Sequence, residues 1–180
     1  MSTLSRPRTQ ALVKTAAAAA VLCITGPVSV FIGPVPVSLT NLSVFLLLYA
    51  CGARRATGAL CVYIALGACV LPVFSGFGGG LFKLLGPTGG YILGFVPMAL
   101  LAGAALRRST RRSVHLAGMA AGMLACYALG TAWFCLSTGT PLVSALGACV
   151  FPFVPIDAAK MALCALLGPE IARRLSFARL

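Results

Sequence analysis

The sequence predicts an all-α integral membrane protein with six transmembrane helices, both termini cytoplasmic, and apolar outer loops folded over a ligand pocket. Three observations carry this. The first is hydropathy: of 180 residues, 60% are hydrophobic and 9% charged, and the mean hydropathy is +1.03. No soluble domain of this size buries so large an apolar fraction, so the bilayer must solvate most of the chain. One membrane domain over residues 1–180 is the economical reading. The second is charge placement. Of 14 Lys and Arg residues, all but Lys83 and Lys160 sit at alternate ends of apolar segments. Arg6, Arg8 and Lys14 precede the first segment, and Arg54 and Arg55 follow the second. Arg107, Arg108, Arg111 and Arg112 follow the fourth, and Arg173, Arg174 and Arg179 follow the last. An even number of spans gathers them on one face, which the positive-inside rule makes cytoplasmic. The third is the mirror pattern of the prolines. Eight of the 11 fall in the connections on the opposite face: Pro27, Pro34, Pro36, Pro72, Pro87, Pro141, Pro152 and Pro155.

The elements follow in order. Helix 1 runs from about Gln10 to Thr25. With its basic flank and alanine run it resembles a secretory signal. Its removal would leave five spans and upset the charge pattern, so it reads as a retained helix. A proline-rich stretch with Phe31, Gly33, Pro34 and Pro36 leads to helix 2, Leu39 to Cys51, short for a full crossing. Arg54-Arg55 read as a tight inner turn before helix 3, Ala56 to Leu71. A glycine-rich loop from Pro72 to Gly90 follows, with a short apolar piece at Leu81 to Leu85. Helix 4 runs from Gly90 to Leu106 with a kink at Pro97. Helix 5 runs from Val114 to Leu136. A third outer loop carries a short apolar piece ending near Pro152. Helix 6 runs from Ile156 to Leu175, with Pro169 bending or ending its regular part. The outer loops are apolar and Phe-rich. Irregular backbone at membrane depth persists only where protein buries it or a cavity meets it, which favours a lidded pocket. The plainer alternative lays these loops on the membrane surface with Phe anchored in the interface.

Several function classes fall away. The basic residues flank spans without aromatic interleaving, so anionic lipid and topology explain the net charge of +12 better than nucleic acid does. The eight cysteines form no CxxC, and the single His115 leaves no zinc spacing. They read as small apolar filler. No metal and no cofactor is expected. The glycine loop is no P-loop, because no Gly-Lys-Ser/Thr follows a strand. Gly90 with Gly94, and Gly118 with Gly122, form small-xxx-small faces suited to helix packing. No catalytic His partner or second outer carboxylate supports an enzyme, since Glu170 lies near the inner face. His115 reads as a bystander at the inner interface.

The two exceptions to the charge rule mark the site. Asp157 and Lys160, spaced i, i+3, share a face in the first turn of helix 6. A charge at the centre of a membrane helix costs about 2.5–3.5 kcal/mol, so such residues are kept for a partner. They can pair with each other, or Asp157 can accept N–H donors from a ligand while Lys160 meets a carboxylate. Ala16 to Ala20 give helix 1 a smooth face for close contact, within the chain or with a partner.

Three motifs then carry a resemblance. Gly86-Pro87-Thr88-Gly89-Gly90-Tyr91 follows the glycine loop, Val35-Pro36-Val37-Ser38-Leu39-Thr40-Asn41 precedes helix 2, and Pro155-Ile156-Asp157-Ala158-Ala159-Lys160 opens helix 6. In order and spacing the chain resembles the BioY family, the biotin-specific S components of energy-coupling-factor (ECF) transporters. The resemblance covers nearly the whole chain. It implies a six-helix protein of the bacterial inner membrane that binds biotin on its outer side. It implies partners too: a transmembrane coupling subunit and a pair of cytoplasmic ATPases, met through an Ala-x-x-x-Ala face at Ala16 and Ala20. Homo-oligomerisation stays open. Family members use the positions of Asp157 and Lys160 in the substrate site. Many carry Gln-Thr where this chain has Thr40-Asn41. On this reading Asp157 takes a ureido N–H, Lys83 or Lys160 meets the biotin carboxylate, and Asn41, Tyr91, Thr88, Gly89 and Gly90 complete the site. The alternative is a self-sufficient secondary carrier or facilitator for a small amphipathic carboxylate.

Overall fold

The computed structural model describes the backbone of residues 6–31 and 35–177 and the side chains of 9–30 and 35–175. Gly33, Pro34 and Arg179 lie outside the described residues, as do the side chains of Arg6, Arg8 and Phe31. Eight α-helices appear among the described residues: α1 Arg6–Thr25, α2 Thr40–Cys51, α3 Ala53–Ala68, α4 Leu81–Leu85, α5 Gly89–Arg108, α6 Arg112–Thr138, α7 Leu142–Cys149 and α8 Phe153–Phe177. The six long ones match the predicted helices. The short α4 and α7 are the two apolar pieces seen inside the loops.

Two features were not predicted. The proline-rich stretch after α1 forms a small antiparallel ribbon, β1 Ser29–Phe31 with β2 Pro36–Ser38, in which Val30 faces Val37. The turn between α2 and α3 is made by Gly52 alone, at φ 83°, a region where any side chain is strained. Arg54 and Arg55 therefore open α3 instead of forming the turn themselves.

The core is built by small residues that bring backbones together. On α1, Ala18, Ala19 and Leu22 are buried, whereas Ala16 and Ala20 are exposed on another face. So α1 is part of the core, packed chiefly on α3. The tightest pair is α5 with α6. A Cβ at Gly122 would stand 2.7 Å from the Met98 carbonyl oxygen, and one at Gly94 3.1 Å from the Cys126 sulfur. Gly118 abuts Ala105 in the same way. The small-xxx-small faces thus do the packing expected of them. On α8 the buried residues Asp157, Cys164, Ala165 and Gly168 follow helical spacing, with Gly168 against the Tyr49 ring of α2.

By length and composition, α5 and α6 can each cross a membrane, and α7 with α8, bent by 47°, can form a third span. The apolar parts of α1, Thr9–Thr25, and of α2 are shorter. Pro97 lies inside α5 and Pro169 inside α8, and both helices continue past them.

Candidate functional site: a buried charge pair between three connections

Asp157 lies in the first turns of α8 and is only 6% exposed. Its carboxylate accepts from three side chains on three helices. Asn41 Nδ2 of α2 donates to Oδ1 at 2.6 Å, Lys160 Nζ to the same oxygen at 3.1 Å, and Tyr127 Oη of α6 to Oδ2 at 2.5 Å. The Lys160 ammonium is also fully used. It donates to the Ser38 carbonyl at 2.8 Å and to Asn41 Oδ1 at 3.0 Å as well as to Asp157. Asn41 is the hinge of this network, since its Oδ1 also accepts the Leu42 N–H at 2.9 Å. A buried ion pair persists only when its remaining donors and acceptors are met, and here they are.

The network forms one end of a cavity of about 60 Å³. Apart from Ser38 and Tyr91, its other walls are apolar, with Val35 and Pro36 at the ribbon, Phe95 of α5, Met123 of α6 and Phe153 of α8. A second cavity of about 40 Å³ shares the Val35, Pro36, Tyr91 and Phe95 wall and continues to Ser75, Thr88 and Tyr63. Tyr91 stands between the two, its hydroxyl bonded to Thr131 Oγ1 at 3.0 Å. Segments from all three predicted outer connections therefore reach these cavities: Val35 to Ser38, Ser75 with Thr88, and Cys149 with Phe153.

The predicted residues divide as follows. Asp157, Lys160, Asn41 and Tyr91 line the first cavity, and Tyr91 and Thr88 line the second. Gly89 and Gly90 are buried at the start of α5, where Gly90 lets the Trp133 side chain come close. Trp133 Nε1 donates to the Gly86 carbonyl at 3.0 Å, which fixes the turn before α5. Lys83 lines neither cavity. It sits on α4 with its Nζ about 3.4 Å from where a Gly78 Cβ would be, in the loop that also holds Ser75. Tyr127 was not singled out from the sequence. Its signal was present, since a phenol in the middle of an apolar helix requires a partner. No group of three or more His, Cys, Asp or Glu residues gathers for a metal among the described residues.

Three comparisons bear on this arrangement. The model of the BioY family matches residues 1–177. A biotin transporter BioY of Thermotoga maritima is 36% identical over 163 residues, covering 90% of this chain and 95% of that protein. One from Rhizobium etli is 32% identical, covering 91% and 93%. The crystal structure of an S-component for biotin from an ECF-type ABC transporter superposes with a TM-score of 0.83 at 23% identity, covering 96% of this chain and 95% of the other.

Proposed function

The chain belongs to the BioY family, and on that premise we propose that it binds biotin as the substrate-binding membrane subunit of an ECF-type transporter and serves biotin uptake. The observation that carries the site is the Asp157–Lys160–Asn41–Tyr127 cluster at the end of an apolar cavity. Biotin has a matching layout: a ureido ring with two N–H donors and one carbonyl acceptor, then an apolar bicycle and chain, then a carboxylate. Asp157 accepts a ureido N–H. Lys160, now bonded to the Ser38 carbonyl, turns to the ureido oxygen, and Asn41 supplies a further amide contact. The bicycle lies against Phe95, Met123 and Phe153. The tail passes Tyr91 toward Ser75, Thr88 and the start of α5, with Lys83 on the adjoining loop as the cation for the carboxylate.

The same reading supplies the rest of the assignment. Six spans place both termini in the cytoplasm of a bacterial inner membrane, in accord with the arginine pattern. A transmembrane coupling subunit and a pair of cytoplasmic ATPases supply the energy. The exposed Ala16 and Ala20, between exposed Val13 and Ile24, offer the coupling subunit a smooth α1 face.

The test is a calorimetric titration of the purified protein with biotin, desthiobiotin and unrelated vitamins. Heat of binding is expected for biotin, with a weaker signal for desthiobiotin. A response to another vitamin alone overturns the assignment. Uptake by a host lacking every coupling subunit would instead favour a self-sufficient carrier.

A further inference from the structure

At the end of the bundle opposite Asp157, a larger cavity of about 370 Å³ opens between α2, α5, α6 and α8. One wall is apolar, with Leu48, Leu106 and Pro169; the other is polar, with Arg107, Thr110 and His115. His115 is buried and held at both nitrogens. Its Nε2 donates to the Ser109 carbonyl at 2.8 Å, and its Nδ1 bonds the Tyr49 hydroxyl at 2.9 Å. That clamp fixes the connection between α5 and α6 over the cavity, so the polar wall is formed in advance of any ligand.

The charge inventory says what such a wall lacks. The chain has only two acidic residues. Asp157 is committed to Lys160 at the far end, and Glu170 is bonded to Arg173 and Arg174, each at 2.9 Å. Arg107 lines the cavity, and Arg112 opens α6 two residues beyond the lining Thr110. Neither has a carboxylate partner among the described residues. Both are exposed, so any counter-ion they take comes from solvent or from a ligand. It must sit where the ends of apolar helices meet water, with hydrocarbon on one side and guanidinium on the other. Basic pockets between helices at this level suit the head groups of anionic lipids.

We propose that this cavity binds one anionic phospholipid. Its phosphate meets Arg107, with Arg112 adding charge and the Thr110 hydroxyl a hydrogen bond. Its acyl chains run along Leu48, Leu106 and Pro169. Charge-assisted bonds from arginine to phosphate are the strong kind, and the apolar wall gives a free phosphate ion no reason to settle there. The bound lipid joins the α2–α3 corner, the α5–α6 connection and α8, and so stabilises the inner end of the bundle. This inference is independent of what the Asp157 cavity holds.

The experiment titrates the purified protein in nonionic detergent with short-chain phosphatidylglycerol, with phosphatidylcholine and inorganic phosphate as parallel arms. Thermal stability and native mass spectrometry are the readouts. Phosphatidylglycerol is expected to raise the melting temperature saturably, with one lipid retained per chain. Arg107→Gln and Arg112→Gln should each weaken that binding by about fivefold, the equivalent of one basic residue near an anionic surface. Lys14→Gln on α1, which contributes nothing to this cavity, should leave it unchanged, and all three variants should bind biotin as the parent does. Equal stabilisation by phosphatidylcholine overturns the proposal, as does equal weakening by Lys14→Gln, which would mean diffuse surface charge. Saturation by inorganic phosphate at the same concentrations would show a free-anion site and overturn it too.

Discussion

Every polar group around Asp157 already has a partner, so a ligand enters by exchange. At the proposed site, biotin replaces the Asn41 amide at Asp157 and the Ser38 carbonyl at Lys160, and the energy that counts is the difference between the two sets of bonds. Removing one member of a buried, hydrogen-bonded charge pair leaves the other unpaired, which is costly. Lys160→Met is therefore expected to weaken biotin binding by about 2 kcal/mol or more, roughly thirtyfold in Kd by calorimetry. Tyr127→Phe removes one donor and leaves the pair intact. A loss of about 1 kcal/mol, roughly fivefold, is expected. Biotin methyl ester separates the lysines. If Lys83 serves the carboxylate, Lys83→Ala weakens biotin binding and leaves ester binding unchanged, while Lys160→Met weakens both. Asp157, Lys160 and Asn41 were legible in the sequence because charge in an apolar chain stands out and motifs frame all three. Tyr127 was not, because its neighbours on α6 carry no charge to draw attention to it.

The helices were legible from apolar length and basic flanks, and the errors fall where other physics sets the element. Three-residue strands are too short to show a period of two, so the Pro27–Pro36 stretch read as irregular. An arginine pair after an apolar run looked like a turn, but one glycine at positive φ makes that turn and leaves the arginines in the first turn of α3. The α5–α6 pair is where the sequence spoke most directly, because glycines four apart have a single structural use there. Gly122→Val puts branched carbons against the Met98 carbonyl, 2.7 Å from where even a Cβ would lie. Overpacking of this kind costs about 1–3 kcal/mol and should lower the melting temperature, whatever the ligand. The ribbon is the element by which the first connection reaches the site. Its Ser38 carbonyl holds Lys160, and Val35 and Pro36 line both cavities.

At the scale of the whole molecule, both cavities are far smaller than the roughly 300 Å³ or more of a typical small-molecule pocket. On the proposed function, biotin binding therefore widens this space, with the ribbon and its neighbours moving apart. Sequence could show that loops meet the pocket. It could not show how little space they leave, because that depends on how side chains from several helices and three connections fill the same space. Topology is testable on the same scale. Cys69 is exposed at the end of α3 nearest the site, and Cys51 lies at the opposite end of α2. In single-cysteine variants, a membrane-impermeant thiol reagent should label Cys69 in intact cells and Cys51 only after the membrane is opened; the reverse contradicts the orientation. The central claim is that the Asp157 cluster is the biotin site, and its most direct test is calorimetry on Asp157→Asn. This variant keeps the size of the side chain and lets its folding be checked by melting temperature. The account predicts a folded protein whose biotin Kd rises by about thirtyfold or more. A folded Asp157→Asn that binds biotin with unchanged affinity would contradict it.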